Sequence, residues 1–482
     1  MKRSYDAIVV GGGLGGLTAG AKLVREGMSV LLIEQHSQPG GCATTFQRGD
    51  YTLEVGLHEM DGPGDRDMKR RIFNELGVTD AVEFLKVPEF YRFLHGETDI
   101  TLPHEADLAA GVLKEHFPGE ESGIDAYFNQ LLNQKRRKPG EESAPDISVG
   151  EFLDSITGND ELKLLLLGNL GYFHDDPYSL SLAYYTIAQG SYYTNGASFI
   201  KGGSQQFSDH LAGYIATNGG EVLLNHMATG FITGDSGVEG VTCRKRGRNN
   251  ESELSFTAGT IVLNISPESV AGWLPGGYSA AIGAEAGKHE PGASLLTVYY
   301  GFKGKLSDIG NRHYSTFIFD DSVRNQSDIA PNNRAPFERR SFTFVDYGQV
   351  DSGLAPEGKS VGAICCIDYL VEWKNLSKEE YRSKKREVAD IFTARMESIL
   401  PGFGDMTDYC DVGTPLTVER YIMTPGAAVY GFAQLPGRQP FDTGVLPGNI
   451  HLASAWGRTG GGFSGAIYGG YLCAMNIIRA AR

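Results

Sequence analysis

The 482-residue sequence predicts an α/β fold: a discontinuous Rossmann-like dinucleotide-binding domain, into which an α+β domain of mixed sheet plus helices is inserted. Three observations predict it. At the start, residues 6–10 read as a short buried strand, Gly11, Gly13 and Gly16 fill the G-x-G-x-x-G spacing, and residues 17–26 continue as a helix. A second apolar strand, residues 29–33, then ends at Glu34. Far downstream, a block opening at Lys201, Gly202, Gly203, Ser204 and Gln205 runs helix, glycine turn, strand; the chain closes with strand 450–454, a glycine-rich turn and a helix over 464–480.

The spacing at the start has a physical reading. Gly11 allows the tight turn, Gly13 lets the backbone approach a pyrophosphate, and Gly16 lets the helix pack closely on the strand. The helix N-terminus offers free N–H groups and a partial positive charge to that anion. Glu34 stands where a carboxylate accepts hydrogen bonds from an adenosine ribose.

Length and composition narrow the field. A chain of 482 residues exceeds one small core, so two connected domains are expected. Against 43 basic residues stand 59 acidic ones, a net charge of −16, which argues against nucleic acid as a partner. The six cysteines show neither C-x-x-C nor metal-ligand spacing; thiols in a reducing cytosol, hence a cytoplasmic protein without a metal, are the expectation. Met1 leads straight into the first strand, with no signal or transit peptide read before it. The longest apolar run, residues 162–173, is broken by Lys163, Gly168, Asn169 and Gly171 and falls short of the roughly 20 residues of a membrane span. No feature specifies an oligomeric state.

Along the chain, Pro39 to Phe46 is a small-residue loop suited to close approach of a cofactor. Residues 52–57 look extended, and residues 67–76 look helical and stop at Gly77. From residue 105 the chain reads as helices: 105–117, 121–134, and one beginning at Ser148, where Ser148 and Glu151 form a capping box. Residues 162–172 with Tyr184, Tyr185, Tyr192 and Tyr193 suit one wall of an apolar pocket. After the helix 206–217 come a strand 221–224, a hairpin turning at 234–237, and a strand 261–265. Strand-like runs 295–302, 341–345 and 361–367 are followed by one clear helix capped by Ser377 and Glu380, with Val388, Ile391, Phe392 and Ile399 as its apolar stripe. The expected division is therefore 1–78, 198–290 and 409–482 for the dinucleotide domain, and 79–197 (mainly helical) and 291–408 (sheet plus helix) for the inserted one.

These blocks together resemble the flavoprotein amine oxidase superfamily, and within it the branch of phytoene desaturases, carotenoid isomerases and retinol saturases. The match runs through Val9 to Leu17 and Glu34, Gly40-Gly41-Cys42, Glu54-Val55-Gly56-Leu57-His58, Phe117-Pro118-Gly119-Glu120 and Lys201 to Gln205. Residues 413–421 and 426–431 look like the isomerase and saturase pattern more than the desaturase one. Departures from the family form are Glu54, where many relatives carry Asp, and Trp456 to Thr459 in the closing motif.

The resemblance implies FAD. Gly11, Gly13, Leu14, Gly15, Gly16 and Glu34 would hold the ADP half, Gly40, Gly41, Cys42 and Ala43 would pass near the ribityl chain or ring, and Val222 would meet the adenine through its backbone. Gly461, Gly462, Ser464 and Gly465 would bring a second helix N-terminus to the flavin's pyrimidine edge. The implied substrate is an apolar polyene or isoprenoid, carotenoid- or retinoid-like, changed by isomerisation, saturation or desaturation. His58 and Glu59 are the candidates for proton handling, with a packed, hydrogen-bonded histidine as the plain alternative. Cys42 reads as packing rather than a nucleophile. Arg420, Tyr421 and Tyr430 are candidates for the substrate cavity, with core packing or a salt bridge as the alternative for the first two. The basic run Lys135-Arg136-Arg137-Lys138 is either a solvated loop or a contact for anionic headgroups at a membrane periphery. Two rival classes share the fold: a flavin amine oxidase, and a non-catalytic prenyl- or lipid-binding relative.

Overall fold

The computed structural model describes residues 3–65, 67–133, 146–234, 237–247 and 252–481. Strand Ser4–Val10 lies between Val30–Ile33 and Leu254–Leu263, parallel to both, and Glu221–Leu223 continues the sheet beyond Val30–Ile33. These strands are apolar without alternation because both faces are covered. Ala7 and Val9 enter one core, while Ile8 and Val10 enter another. Strand Leu254–Leu263 shares its other edge between two partners. Its first half pairs antiparallel with Gly237–Lys245, which pairs in turn with His226–Gly234; its last residues pair parallel with Ile450–Leu452. Chain segments more than 200 residues apart thus form one sheet.

The helix Leu14–Arg25 packs between this sheet and the closing helix Gly462–Ala481. The two helices cross where neither has a side chain. A Cβ on Gly470 would lie 2.1 Å from the Gly15 carbonyl oxygen, and one on Gly15 would lie 1.9 Å from the Ala453 carbonyl oxygen. Gly15, between the fingerprint positions Gly13 and Gly16, therefore serves close backbone packing against the end of strand Ile450–Leu452, and Gly470 serves the helix crossing.

A second sheet orders Thr407–Gly413, Ser294–Phe302, Ser360–Asp368, Phe342–Asp346, Ser315–Ile318, Tyr91–His95 and Thr98–Leu102. All its pairings are antiparallel except that of Ser315–Ile318 with Tyr91–His95. One face packs Leu296, Val298 and Ile364 against Val388, Phe392 and Met396 of the helix Lys378–Ile399, whose Ser377–Glu380 capping box is formed. Two details go beyond the sequence expectations. Residues 79–197 also supply strands, because Tyr91 and Phe93 alternate with more exposed neighbours and a turn at Gly96 (φ +53°) closes a hairpin. The expected limit at 408 falls inside strand Thr407–Gly413, which pairs with Ser294–Phe302.

Helices Ala106–His116, Glu121–Leu132, Val149–Ile156, Asp160–Leu166 and Leu182–Asn195 follow the hairpin, and both hydrogen bonds of the Ser148–Glu151 capping box are present. A small sheet of Met60–Asp61, Ala197–Ile200 and Phe84–Lys86 ties these helices to the turn after Glu54.

Candidate functional site

The fingerprint builds an anion cradle. Gly11, at φ +99°, turns the chain out of the first strand, and Gly13 caps helix Leu14–Arg25. No side chain caps that helix, and its first turn carries no acid, so its N–H dipoles face outward. The Glu34 carboxylate, 6 % exposed, accepts from the Gly12 N–H at 2.7 Å and from the His36 N–H at 2.8 Å, which fixes it beside the glycines. Val222 pairs with Leu32 at the neighbouring strand. The loop of Gly40 to Ala43 is bound to the fingerprint by the Gly40 N–H donating to the Gly12 carbonyl at 2.7 Å. Gly41 (φ +62°) has only the Gly13 Cα near its missing Cβ, at 3.3 Å, and Gly462 (φ +71°) has nothing within 4 Å. An open helix N-terminus, a fixed acid beside it and two glycines opening on free space fit a dinucleotide with a planar ring.

The other named glycines do different work. Gly461 would strike the Tyr430 carbonyl oxygen at 2.3 Å and Gly465 the Gly460 carbonyl oxygen at 2.7 Å, so both serve backbone packing of the closing turn. The Ser464 hydroxyl donates to Asp61. Burial pushes the Cys42 thiol up to about 11, which suits packing rather than nucleophilic chemistry.

Between the two ends lies a cavity of about 570 Å³. One wall is a face of the second sheet: Leu295 and Thr297 on one strand stand opposite Ile367 and Cys365 on the next, with Thr343 and Phe317 beyond. The facing wall is helical, with Leu167, Leu170, Tyr172, Tyr184 and Tyr192. Gly461, Gly462, Ser464 and Tyr430 border the same space. Tyr185 and Tyr193 turn away from it: the Tyr185 hydroxyl meets that of Tyr127 at 2.8 Å, and Tyr193 packs on Phe90 and Phe128.

The turn after strand Tyr51–Glu54 carries the titratable groups. Glu54 accepts from Ser204 Oγ (2.6 Å) and from the N–H groups of Ser204 (2.7 Å) and Leu57 (3.1 Å), which locks the turn onto the Lys201–Gln205 block. Burial raises the Glu54 carboxyl and those donors pull it back, to about 7. The hydroxyls of Tyr347 and Tyr314 donate to the carbonyls of Leu57 (3.0 Å) and His58 (2.6 Å). Burial lowers the His58 imidazole to about 4, so it is neutral at pH 7, and the Tyr172 hydroxyl lies 3.4 Å from its Nδ1. Glu59 differs. Burial, with the Glu89 charge added, holds its carboxyl well above the ordinary range, and neither oxygen has a hydrogen-bond partner among the described residues. The turn thus presents a neutral imidazole and a carboxyl whose ionisation burial disfavours; proton exchange by His58 near pH 7, the expectation from its type alone, is removed by burial.

Arg420 and Tyr421 are corrected. Neither lines the cavity; Tyr421 is 51 % exposed and packs at a tilt on His36, 5.3 Å between ring centroids, while its carbonyl accepts from Gln35 and meets the His36 ring. Helix Pro415–Ile422 turns that end toward the Glu34 corner. Sequence reasoning missed Asn264, whose Nδ2 donates to the Gly11 carbonyl at 3.3 Å beneath the fingerprint; its signal was a polar residue within the expected strand 261–265, just past the end of the observed strand Leu254–Leu263. It also missed the buried Lys69 and Asp61. The only local signal there was Asp67 as the N-cap of helix Met68–Glu75.

Comparison with known proteins places this geometry. The family described as flavin containing amine oxidoreductase matches residues 14–478. The chain belongs to that family. It is an FAD-dependent oxidoreductase, and the cradle described above is of the kind such a cofactor needs. The chain is 23% identical to all-trans-retinol 13,14-reductase of Danio rerio over 98% of its own length and 86% of the relative's. It is 26% identical to prolycopene isomerase 2 of an Oncidium hybrid cultivar, covering 98% and 84%. Among solved structures, an oxidoreductase from Methanosarcina mazei superposes with a TM-score of 0.68 at 15% identity, covering 98% and 99%. A putrescine oxidase variant superposes with 0.64 at 17%, covering 99% of each chain. These structural likenesses show the fold. No helix among the described residues is long and apolar enough to cross a membrane.

Proposed function

We propose that the enzyme acts on C–C or C=C bonds of an apolar polyene or isoprenoid, carotenoid- or retinoid-like, by isomerisation or saturation rather than desaturation. The observation that carries this is the cavity of about 570 Å³, walled by leucines, a β-sheet face and tyrosines, which meets the Gly461–Gly462 turn at one side. A retinol reductase and a prolycopene isomerase are among the relatives that match nearly the whole chain, which supports the substrate class. FAD, bound by Gly11, Gly13 to Gly16, Glu34, Gly40 to Ala43 and Val222, supplies exchange of hydride or electrons with the substrate. The chain supplies the rest. The leucine and sheet walls exclude water and align an extended hydrocarbon, and Tyr430 and Tyr184 narrow the space beside the closing turn. Glu59, protonated, is the proton donor of this proposal, and the neutral His58 orients that turn against Tyr172. The division at 1–78, 198–290 and 409–482, with its last limit moved beyond Gly413, goes with this reading.

The test is the product mass from anaerobic incubation with linear polyenes, with oxidised and with reduced FAD. Unchanged mass with altered retention under reduced FAD marks an isomerase, and two hydrogens gained mark a saturase. Two hydrogens lost mark a desaturase, against the order proposed. Hydrogen peroxide released with amines, and no polyene turnover, returns the assignment to amine oxidation.

The cavity rim also favours a lipid surface as the source of substrate. Met68, Leu132 and Ile187 line the cavity yet are 56, 40 and 63 % exposed. The basic run of Lys135 to Lys138 follows Leu132 in sequence and lies outside the described residues. Flotation with anionic against zwitterionic vesicles tests this: binding that weakens in a Met68→Ser, Ile187→Ser variant supports it, and no binding to either removes it.

A further inference from the structure

Two residues beyond Glu59, the strand Met60–Asp61 carries a second acid in the opposite state. Lys69, whose side chain is 0 % exposed, donates to Asp61 Oδ2 at 2.6 Å and lies 2.7 Å from Asp67 Oδ2. The Tyr468 hydroxyl donates to Asp67 Oδ1 at 2.7 Å, and the Lys69 ammonium sits 5.3 Å from the Tyr468 ring centroid. Burial alone would raise the Asp61 carboxyl, but the Lys69 charge and three hydrogen bonds outweigh it and leave it below the ordinary range. The remaining acceptor sites of this carboxylate point two ways. Oδ1 accepts from Ser464, in the first turn of the closing helix, and Oδ2 also accepts from Ser191, on the helix that walls the cavity.

A buried ion pair is weak evidence for stability, since apolar residues of similar volume often serve as well. What apolar residues would not do is hold two hydroxyls on two different helices at the border of the cavity. We propose that the Lys69–Asp61 pair is a positioning device. Through Ser464 it fixes the first turn of helix Gly462–Ala481 against the flavin, and through Ser191 it fixes the cavity wall. A closing helix held at its first turn keeps its positive end on the flavin's pyrimidine edge, where it stabilises negative charge on the reduced ring. This rests on that helix facing the flavin, but not on the identity of the substrate.

The experiment compares Ser464→Ala, Ser464→Thr, Ser191→Ala and Asp61→Asn in the FAD-loaded full chain. Loss of one hydrogen bond to a charged group predicts FAD binding about tenfold weaker in Ser464→Ala, with a more negative flavin midpoint potential. Ser464→Thr restores both. Ser191→Ala keeps wild-type FAD binding and potential and raises KM for the apolar substrate. Asp61→Asn shows both effects, and combined with Ser464→Ala it shifts the potential no further, because the two act through one link. Wild-type FAD affinity and potential in Ser464→Ala, or independent addition of the two shifts, overturns the proposal. Both flavin readouts are made without substrate, so a failed polyene assay bears only on the proposed function.

Discussion

Replacing Gly470 by alanine tests the crossing on which the cofactor cradle depends. The added Cβ would sit 2.1 Å from the Gly15 carbonyl oxygen, whereas carbon and oxygen atoms in such contacts do not approach closer than about 3.0 Å, so the helices must part by about 0.9 Å. Backbone is the obstacle on the far side, and no rotamer change relieves it. Overpacking of this kind costs about 1–3 kcal/mol, against which alanine regains about 0.5–1 kcal/mol of helix propensity. A net destabilisation of up to about 2.5 kcal/mol follows. The displaced element is the first turn of Leu14–Arg25, so FAD affinity should fall roughly tenfold as well. The control is Gly213→Ala, on the exposed face of helix Gln205–Thr217, where nothing lies within 4 Å of the new methyl; there the change should stabilise by about 0.5–1 kcal/mol. Chemical denaturation with and without FAD, alongside FAD titration, reads both quantities. A Gly470→Ala protein as stable as the wild type with unaltered FAD affinity would refute the helix-crossing argument.

Three further outcomes are expected. Glu59→Gln preserves a neutral side chain, so stability and FAD binding at pH 7 should hold while kcat on the true substrate falls by about two orders of magnitude or more; unchanged kcat would remove Glu59 from proton transfer. His58 is held neutral in the fold at about 4, so the unfolded chain binds a proton first as pH falls. Its contribution is fully present above about pH 6.5 and declines between there and about 4, and a His58→Gln variant should lose less stability than the wild type over that window in pH-dependent denaturation. Asp368, fully buried, accepts from Arg340 at 2.9 Å and from the Trp373 indole at 2.6 Å; Asp368→Ala strands the guanidinium and should destabilise by about 3–5 kcal/mol in the same assay.

Much of the fold was legible because its signals are local. Strand, glycines, helix and Glu34 follow one another within 34 residues, and the capping boxes at Ser148 and Ser377 each need only four. The closing glycine run was legible for the same reason. The hairpin Tyr91–His95 and Thr98–Leu102 carried a period-two pattern as well, but the sequence reading assigned no element between residues 77 and 105 and passed over it. Arg420 and Tyr421 were misplaced for a different reason. The orientation of helix Pro415–Ile422 is set by the Tyr421 carbonyl meeting Gln35 and His36, some 385 residues away, and no spacing within the helix encodes that contact.

The same limit explains the acids. By residue type, Glu59 and Asp61 are equivalent carboxylates two positions apart in an extended segment. What separates them is Lys69, the second residue of the next helix, which meets Asp61 alone of the two, while Glu59 has Glu89 for its charged neighbour. Ionisation is thereby disfavoured in one acid and favoured in the other. Groups whose surroundings push their pKa values apart are the natural carriers of different tasks. An unpartnered neutral acid has a proton to give, whereas a carboxylate bound to an ammonium and two hydroxyls has none, and serves by holding its neighbours still. The division of labour in this turn therefore follows from where one buried lysine lies, a fact of tertiary structure that the order of residues along the strand does not contain.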